Sequence, residues 1–119
     1  MEQANFEKLR VYQQAITFVQ TIYKLTKNFP KEEMYGLTSQ LRRAAISVPL
    51  NIAEGQGRAG KVEHKQFLQI TKGSLHEVLA ILEIACRESY LSETEKIQTR
   101  KEVFSLLRQI QSLISYLRT

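Results

Sequence analysis

Residues 55–60 spell Gly55-Gln56-Gly57-Arg58-Ala59-Gly60, the G-x-G-x-x-G spacing of a phosphate-cradling turn. A dinucleotide site needs a strand before that turn and a helix opening behind it, so that backbone N–H groups and the helix dipole meet the pyrophosphate. Here a helical pattern precedes the glycines and no βαβ unit surrounds them. The glycines therefore read as a helix stop and a flexible turn, with Arg58 and Lys61 as cations within reach of a phosphate. All twelve acidic residues are Glu and Asp is absent, which rules out a Ser-His-Asp set and removes the commonest ligand of Mg²⁺ and Ca²⁺ loops. Cys86 is the single cysteine, so neither an internal disulfide nor a cysteine zinc site is available. No metal, no cofactor and no catalytic residue is expected. Glu32-Glu33 and the Glu93/Glu95 pair sit at helix starts, where the helix dipole accounts for them.

Two further patterns involve cations. Arg58 and His64 resemble the closely spaced Arg–His pair of helical ribonucleases of the HEPN class, in which paired subunits bring both side chains to one cleft. Ala59 follows the arginine where that class has a polar residue, so an Arg/His ribonuclease is kept only as an alternative. His76, next to Glu77, is expected to be structural or solvent-facing. Of the seventeen Lys and Arg residues, Arg42, Arg43, Lys96, Arg100, Lys101, Arg108 and Arg118 are the other basic features worth weighing. On a helix Arg100 and Arg118 share an angle, and Lys101 and Arg108 lie within about 100° of them, giving one lateral basic face beside the apolar stripe. Glu102 and several glutamines are interspersed, as on an ordinary solvated face. The candidate nucleic-acid contacts are Arg42, Arg43, Arg58, Lys61, Arg100, Lys101, Arg108 and Arg118. Tyr12 and Tyr23 fall on an apolar stripe and no RNA-module aromatic motif occurs, so no base-stacking platform is expected.

The elements that must carry these residues follow from apolar spacing. At 119 residues the chain fits one domain, residues 1–119, and 43% apolar with 24% charged residues is an ordinary globular composition. Four helices are predicted. The first runs from about Leu9 to Asn28, with Tyr12, Ala15, Ile16, Val19, Ile22 and Tyr23 inward, and ends before Pro30. The second runs from about Leu37 to Glu54 on Leu37, Leu41, Ala44, Ala45, Val48 and Ile52, and Gly55 breaks it. The third runs from about Lys61 to Glu88 on Phe67, Leu68, Thr71, Leu75, Val78, Leu79, Leu82, Ala85 and Cys86. Ser92-Glu93-Thr94-Glu95 is a capping box that opens the fourth, whose stripe is Val103, Leu106, Leu107, Ile110, Leu113, Ile114 and Leu117. No strand pattern is present. The fold class is all-α, an antiparallel up-down-up-down four-helix bundle. No leader segment or membrane span is expected, and the cysteine usage fits a reducing cytoplasm.

The second helix is apolar on two sides. Residues Ala44 to Ala53 carry no charge, and Ile46 and Leu50 lie nearly opposite the core face, with Arg43, Ser47 and Glu54 close by. A helix apolar on two sides is buried on two sides, and a bundle this small has no spare layer, so a second copy of the chain is the expected cover. The candidate oligomer interface is Arg43, Ile46, Ser47, Leu50 and Glu54. Pro49 interrupts the hydrogen-bond ladder at the Ala45 carbonyl. Asn51 either sets register or satisfies backbone that Pro49 frees. Glu54 and Arg58 pair if the helix runs one turn further.

The run from Tyr35 through Gly55, YGLTSQLRRAAISVPLNIAEG, followed by Gly57-Arg58, resembles the signature of the four-helix-bundle proteins encoded by intervening sequences of bacterial 23S ribosomal RNA genes. Glu63, Phe67-Leu68, Lys72-Gly73-Ser74, Glu77, Leu82-Glu83-Ile84-Ala85, the opening Leu9, Val11 and Ala15, and Phe29-Pro30 extend the match over nearly the whole chain. The resemblance implies an antiparallel four-helix bundle assembling as a homopentameric ring. It also implies kinship with the accessory proteins of diversity-generating retroelements, basic pentamers that bind nucleic acid and a reverse transcriptase. It brings no catalytic residues. Net charge is +5 per chain, so a ring of five carries about +25, enough to hold a phosphate backbone without reading sequence. The expected function is a non-enzymatic oligomeric scaffold binding RNA or DNA. The alternatives are a protein-interaction adaptor with incidental basicity and the Arg/His ribonuclease.

Overall fold

The computed structural model describes residues 2–117. Four helices account for most of it: α1 (Arg10–Thr26), α2 (Leu37–Gln56), α3 (Lys61–Arg87) and α4 (Glu93–Tyr116), with short 3₁₀ turns at Asn5–Lys8 and Lys31–Glu33. No strand occurs among the described residues. Each helix packs on its neighbours in the chain and α1 also packs on α4, which closes a four-helix bundle measuring 45 × 32 × 21 Å. The long axis matches α3, since its 27 residues rise about 40 Å.

Local chemistry sets the helix ends. Ser92 and Glu95 form the expected capping box: the Glu95 N–H donates to Ser92 Oγ at 3.0 Å, and the Ser92 N–H donates to Glu95 Oε1 at 2.8 Å. At the start of α2, Glu33 serves two groups. Its Oε1 accepts from the Leu37 N–H at 3.0 Å and its Oε2 from the Tyr90 hydroxyl at 3.0 Å, so one carboxylate ties the first turn of α2 to the end of α3. α3 ends in a Schellman arrangement, with the Tyr90 N–H on the Ala85 carbonyl at 2.9 Å and the Ser89 N–H on that of Cys86 at 3.0 Å. The reversal requires a left-handed residue, and Ser89 supplies it at φ 64°.

The core runs through all four helices. Phe18, Ile22, Leu41, Ile52, Leu68, Leu75, Leu82, Leu106 and Ile110 are fully buried. The stripes expected for α3 and α4 face inward as predicted, with Ile81 added on α3. α1 is rotated from expectation. Val11, Phe18 and Leu25 join Ala15 and Ile22 inside, while Ile16 and Tyr23 lie at the surface. The physical reason is that α1 is apolar over a wide arc, and the wholly apolar Phe18 ring gains more from burial than Tyr23, whose hydroxyl stays in water. α2 also runs two residues past Glu54. Gly55 lies inside the helix and is buried, because a Cβ there would come within 2.9 Å of His64 Cδ2 and 3.0 Å of Phe67 Cβ on α3. Pro49 is buried within α2 without ending it, and Asn51 Nδ2 donates to the Ser47 carbonyl at 2.8 Å, two residues along from the Ala45 carbonyl that Pro49 leaves unbonded.

Candidate nucleic-acid interface

A helix that buries Val103, Leu106, Ile110 and Ile114 must carry Ile97, Arg100, Lys101, Phe104 and Arg108 on its flank, since 3.6 residues per turn groups those five on one side. They line a single open groove of about 550 Å³ along α4. The Arg100 guanidinium lies over the Phe104 ring, 5.2 Å from its centroid, within cation–π reach. Phe104 is nonetheless 39% exposed and Ile97 46%. Among the described residues none of these three cations is in a salt bridge.

Lys96, Arg58 and Arg42 are engaged elsewhere. Lys96, one residue before the groove, bridges Glu93 at 3.0 Å and Glu83 of α3 at 3.1 Å. The hydrogen bonds from Arg87 and Lys96 hold the Glu83 carboxyl below its usual range, the bonds from Lys96 and Cys86 do the same for Glu93, and the two carboxylates raise Lys96 in return. Arg58 pairs with Glu54 at 3.1 Å, as the four-residue spacing predicted, and lies over the Phe67 ring at 4.9 Å. Arg42 donates from Nε to Thr26 Oγ1 at 2.8 Å and covers the Tyr23 ring at 4.5 Å, so it braces α1 against α2. Arg43 is exposed and lines a separate hollow with Tyr23, Met34 and Ile46. Lys61 is exposed at the first residue of α3. Arg118 lies outside the described residues. Of the eight cations singled out in sequence, the groove brings together Arg100, Lys101 and Arg108.

Phe104 lies outside the candidates that spacing suggests, and its ring is partly exposed among the cations. A signal was available. Phe104 directly follows Val103 and precedes Leu106 by two, so it has no place on the 3–4 stripe and must project among the cations. Tyr12 and Tyr23 do not serve that role: Tyr12 is half-buried and edge-on to Phe6 at 4.9 Å, and Tyr23 lies under Arg42.

The second face of α2 is uneven. Leu50 is 59% exposed, Ile46 half-buried, and Arg43 and Glu54 exposed. Ser47 instead turns into the α2–α3 seam, donating to the Ala44 carbonyl at 3.0 Å and hydrogen-bonding the Ser74 hydroxyl.

The remaining reactive groups are quiet. Burial lowers the His64 imidazole below its usual pKa, and it packs against Gly55. Cys86 donates to Glu93 at 3.3 Å, and burial together with that carboxylate raises its thiol, so the nucleophilic thiolate is disfavoured. Among the described residues no group of three or more His, Cys, Asp or Glu side chains is arranged to hold a metal, and no helix is long and apolar enough to cross a membrane.

Residues 7–112 match the family described as 23S rRNA-intervening sequence protein. A solved structure from Bacteroides thetaiotaomicron, a protein with unknown function from the S23 ribosomal protein family, superposes with a TM-score of 0.78 at 20% identity, covering 87% of this chain and 97% of that one. Curated proteins provide no match.

Proposed function

The chain belongs to the 23S rRNA-intervening sequence protein family, and from that membership we propose that it is a non-enzymatic oligomeric scaffold whose α4 face binds nucleic acid, RNA or DNA, without strong sequence readout. The observation that carries this reading is the groove itself, where Arg100, Lys101 and Arg108 converge free of salt bridges among the described residues. Cations left without carboxylate partners keep their charge available to phosphates. The scaffold is an antiparallel up-down-up-down bundle. In support, Gln14 bonds Ser105 and Thr21 bonds Glu102, so α1 and α4 run in opposite senses. Copies assemble as a homopentameric ring in the cytoplasm, covering Leu50 and Ile46. The engagement of Arg58 by Glu54 and Phe67 speaks against its use in RNA cleavage.

Salt-titrated binding of single-stranded RNA and duplex DNA tests this. The wild type is expected to bind both, with affinity falling as salt rises. Replacing Arg100, Lys101 and Arg108 together by glutamine is expected to weaken binding at least about tenfold and to flatten the salt slope by about one for each phosphate no longer neutralised. Salt-independent binding, or a triple variant that binds like wild type, would overturn the reading. RNA cleavage abolished by His64→Ala would replace it with the nuclease.

A further inference from the structure

We propose that Phe104 is a base-stacking platform, and that the α4 groove therefore takes single-stranded nucleic acid in preference to duplex. This rests on the reading of α4 as a nucleic-acid interface and extends it. The groove combines the two features that unpaired strands require: cations for the backbone and an exposed aromatic ring for a base. Arg100 and Lys101 lie about one turn before Phe104 and Arg108 about one turn after it, spanning roughly 11 Å of helix axis. A base laid on the ring thus has a cation on either side for its flanking phosphates. Ile97 extends the apolar floor of the same groove. Arg100 leaves Phe104 39% exposed, and its own guanidinium plane is a second surface on which a base can stack. A duplex would use the cations but leave the ring idle, because its base faces are hidden in the stack. An acidic protein segment would likewise have no use for the ring face.

The experiment compares oligo(dT) and oligo(U) with duplexes of equal length, using the full chain. Phe104→Ala is expected to weaken single-strand binding about tenfold, the size of one base stack. Duplex affinity should stay within about twofold, with the salt slope unchanged in both cases. Phe104→Leu, which keeps the apolar bulk, should weaken binding as much as Phe104→Ala, and Phe104→Tyr should retain it. The chain has no tryptophan, so Phe104→Trp supplies a unique fluorophore. Its emission should be quenched by oligo(dT) but not by duplex.

If the triple cation variant loses binding while Phe104→Ala and Phe104→Leu bind like wild type, the stacking proposal fails and the basic-surface reading survives. Equal losses on single strand and duplex in Phe104→Ala, or competition by poly-glutamate as effective as that by oligo(dT), also overturn it. Absence of nucleic-acid binding by the wild type overturns both.

Discussion

Gly55 is the first glycine of a spacing associated with phosphate binding, yet its task is packing. The missing Cβ lets α2 approach α3 where His64 and Phe67 leave no room for a methyl group. Gly55→Ala gains about 1 kcal/mol of helix propensity and loses more to overpacking, because the Phe67 Cβ is fixed to its backbone even though the His64 ring has some freedom. The expected net effect is a destabilisation of about 1–2 kcal/mol, read by urea or thermal unfolding. A variant as stable as wild type would mean the two helices do not meet there as closely as described. Some residue pairings were legible and others were not. Glu54 and Arg58 are four apart, so their pair could be read from spacing although Arg58 lies just past the end of α2, whereas Lys96 meets Glu83 across thirteen residues and two helices. Periodicity within one helix does not contain that second distance. The same limit explains why the basic face of α4 could be drawn by helical angle while the engagement of Lys96 by Glu83 and of Arg42 by Thr26 could not.

Elements were more legible where their ends depend on side chains. The capping box at Ser92 marks the start of α4, and Phe29-Pro30 follows the end of α1. The end of α3 is closed by backbone groups around a left-handed Ser89, where glycine would have been the readable letter. The inward face of α1 was not legible because its apolar arc is wider than one stripe, and only the packing of Phe18 decides its rotation. Where α1 meets α4 the seam is polar: Gln14 bonds Ser105, Gln109 bonds Gln14, and the Thr21 hydroxyl donates to Glu102 at 3.1 Å. Burial raises the Glu102 carboxyl above its usual pKa, only partly offset by the Thr21 bond. A carboxyl whose folded pKa lies above its unfolded value binds more protons when folded, so stability falls as pH rises through the interval between the two. Glu102→Gln keeps an acceptor for Thr21 and removes the charge. It is expected to raise Tm slightly at neutral pH, with the gain vanishing below the unfolded carboxylate range. A gain unchanged at low pH would show that charge is not its source. Glu83 and Glu93 have the opposite sign: their depressed carboxyls contribute stability near neutrality that is lost as pH falls through their folded values.

For the whole molecule, net charge matters less than its distribution. A chain of +5 has modest reach, but three cations along one helix, free of salt bridges among the described residues, form a local field that an assembly would repeat. The overall bundle was legible because helix number, apolar stripes and short connections agree. Leu50 has 59% of its surface exposed on a helix otherwise well packed, the apolar surface that a second copy would cover. Leu50→Glu is expected to leave the isolated fold within about 0.5 kcal/mol, as surface changes do. In an oligomer the new charge would be buried without a partner. Light scattering should therefore report loss of the multimer, with circular dichroism unchanged; a wild type already monomeric, or a variant of undiminished mass, would remove Leu50 from any interface. The cycle of helices is closed by its chain-terminal members, and theirs is the least extensive of the four helix–helix seams. A closed cycle opens first at its weakest joint. Opening of this bundle is therefore expected to begin between α1 and α4 while α2 and α3, which share the most extensive seam, stay clasped.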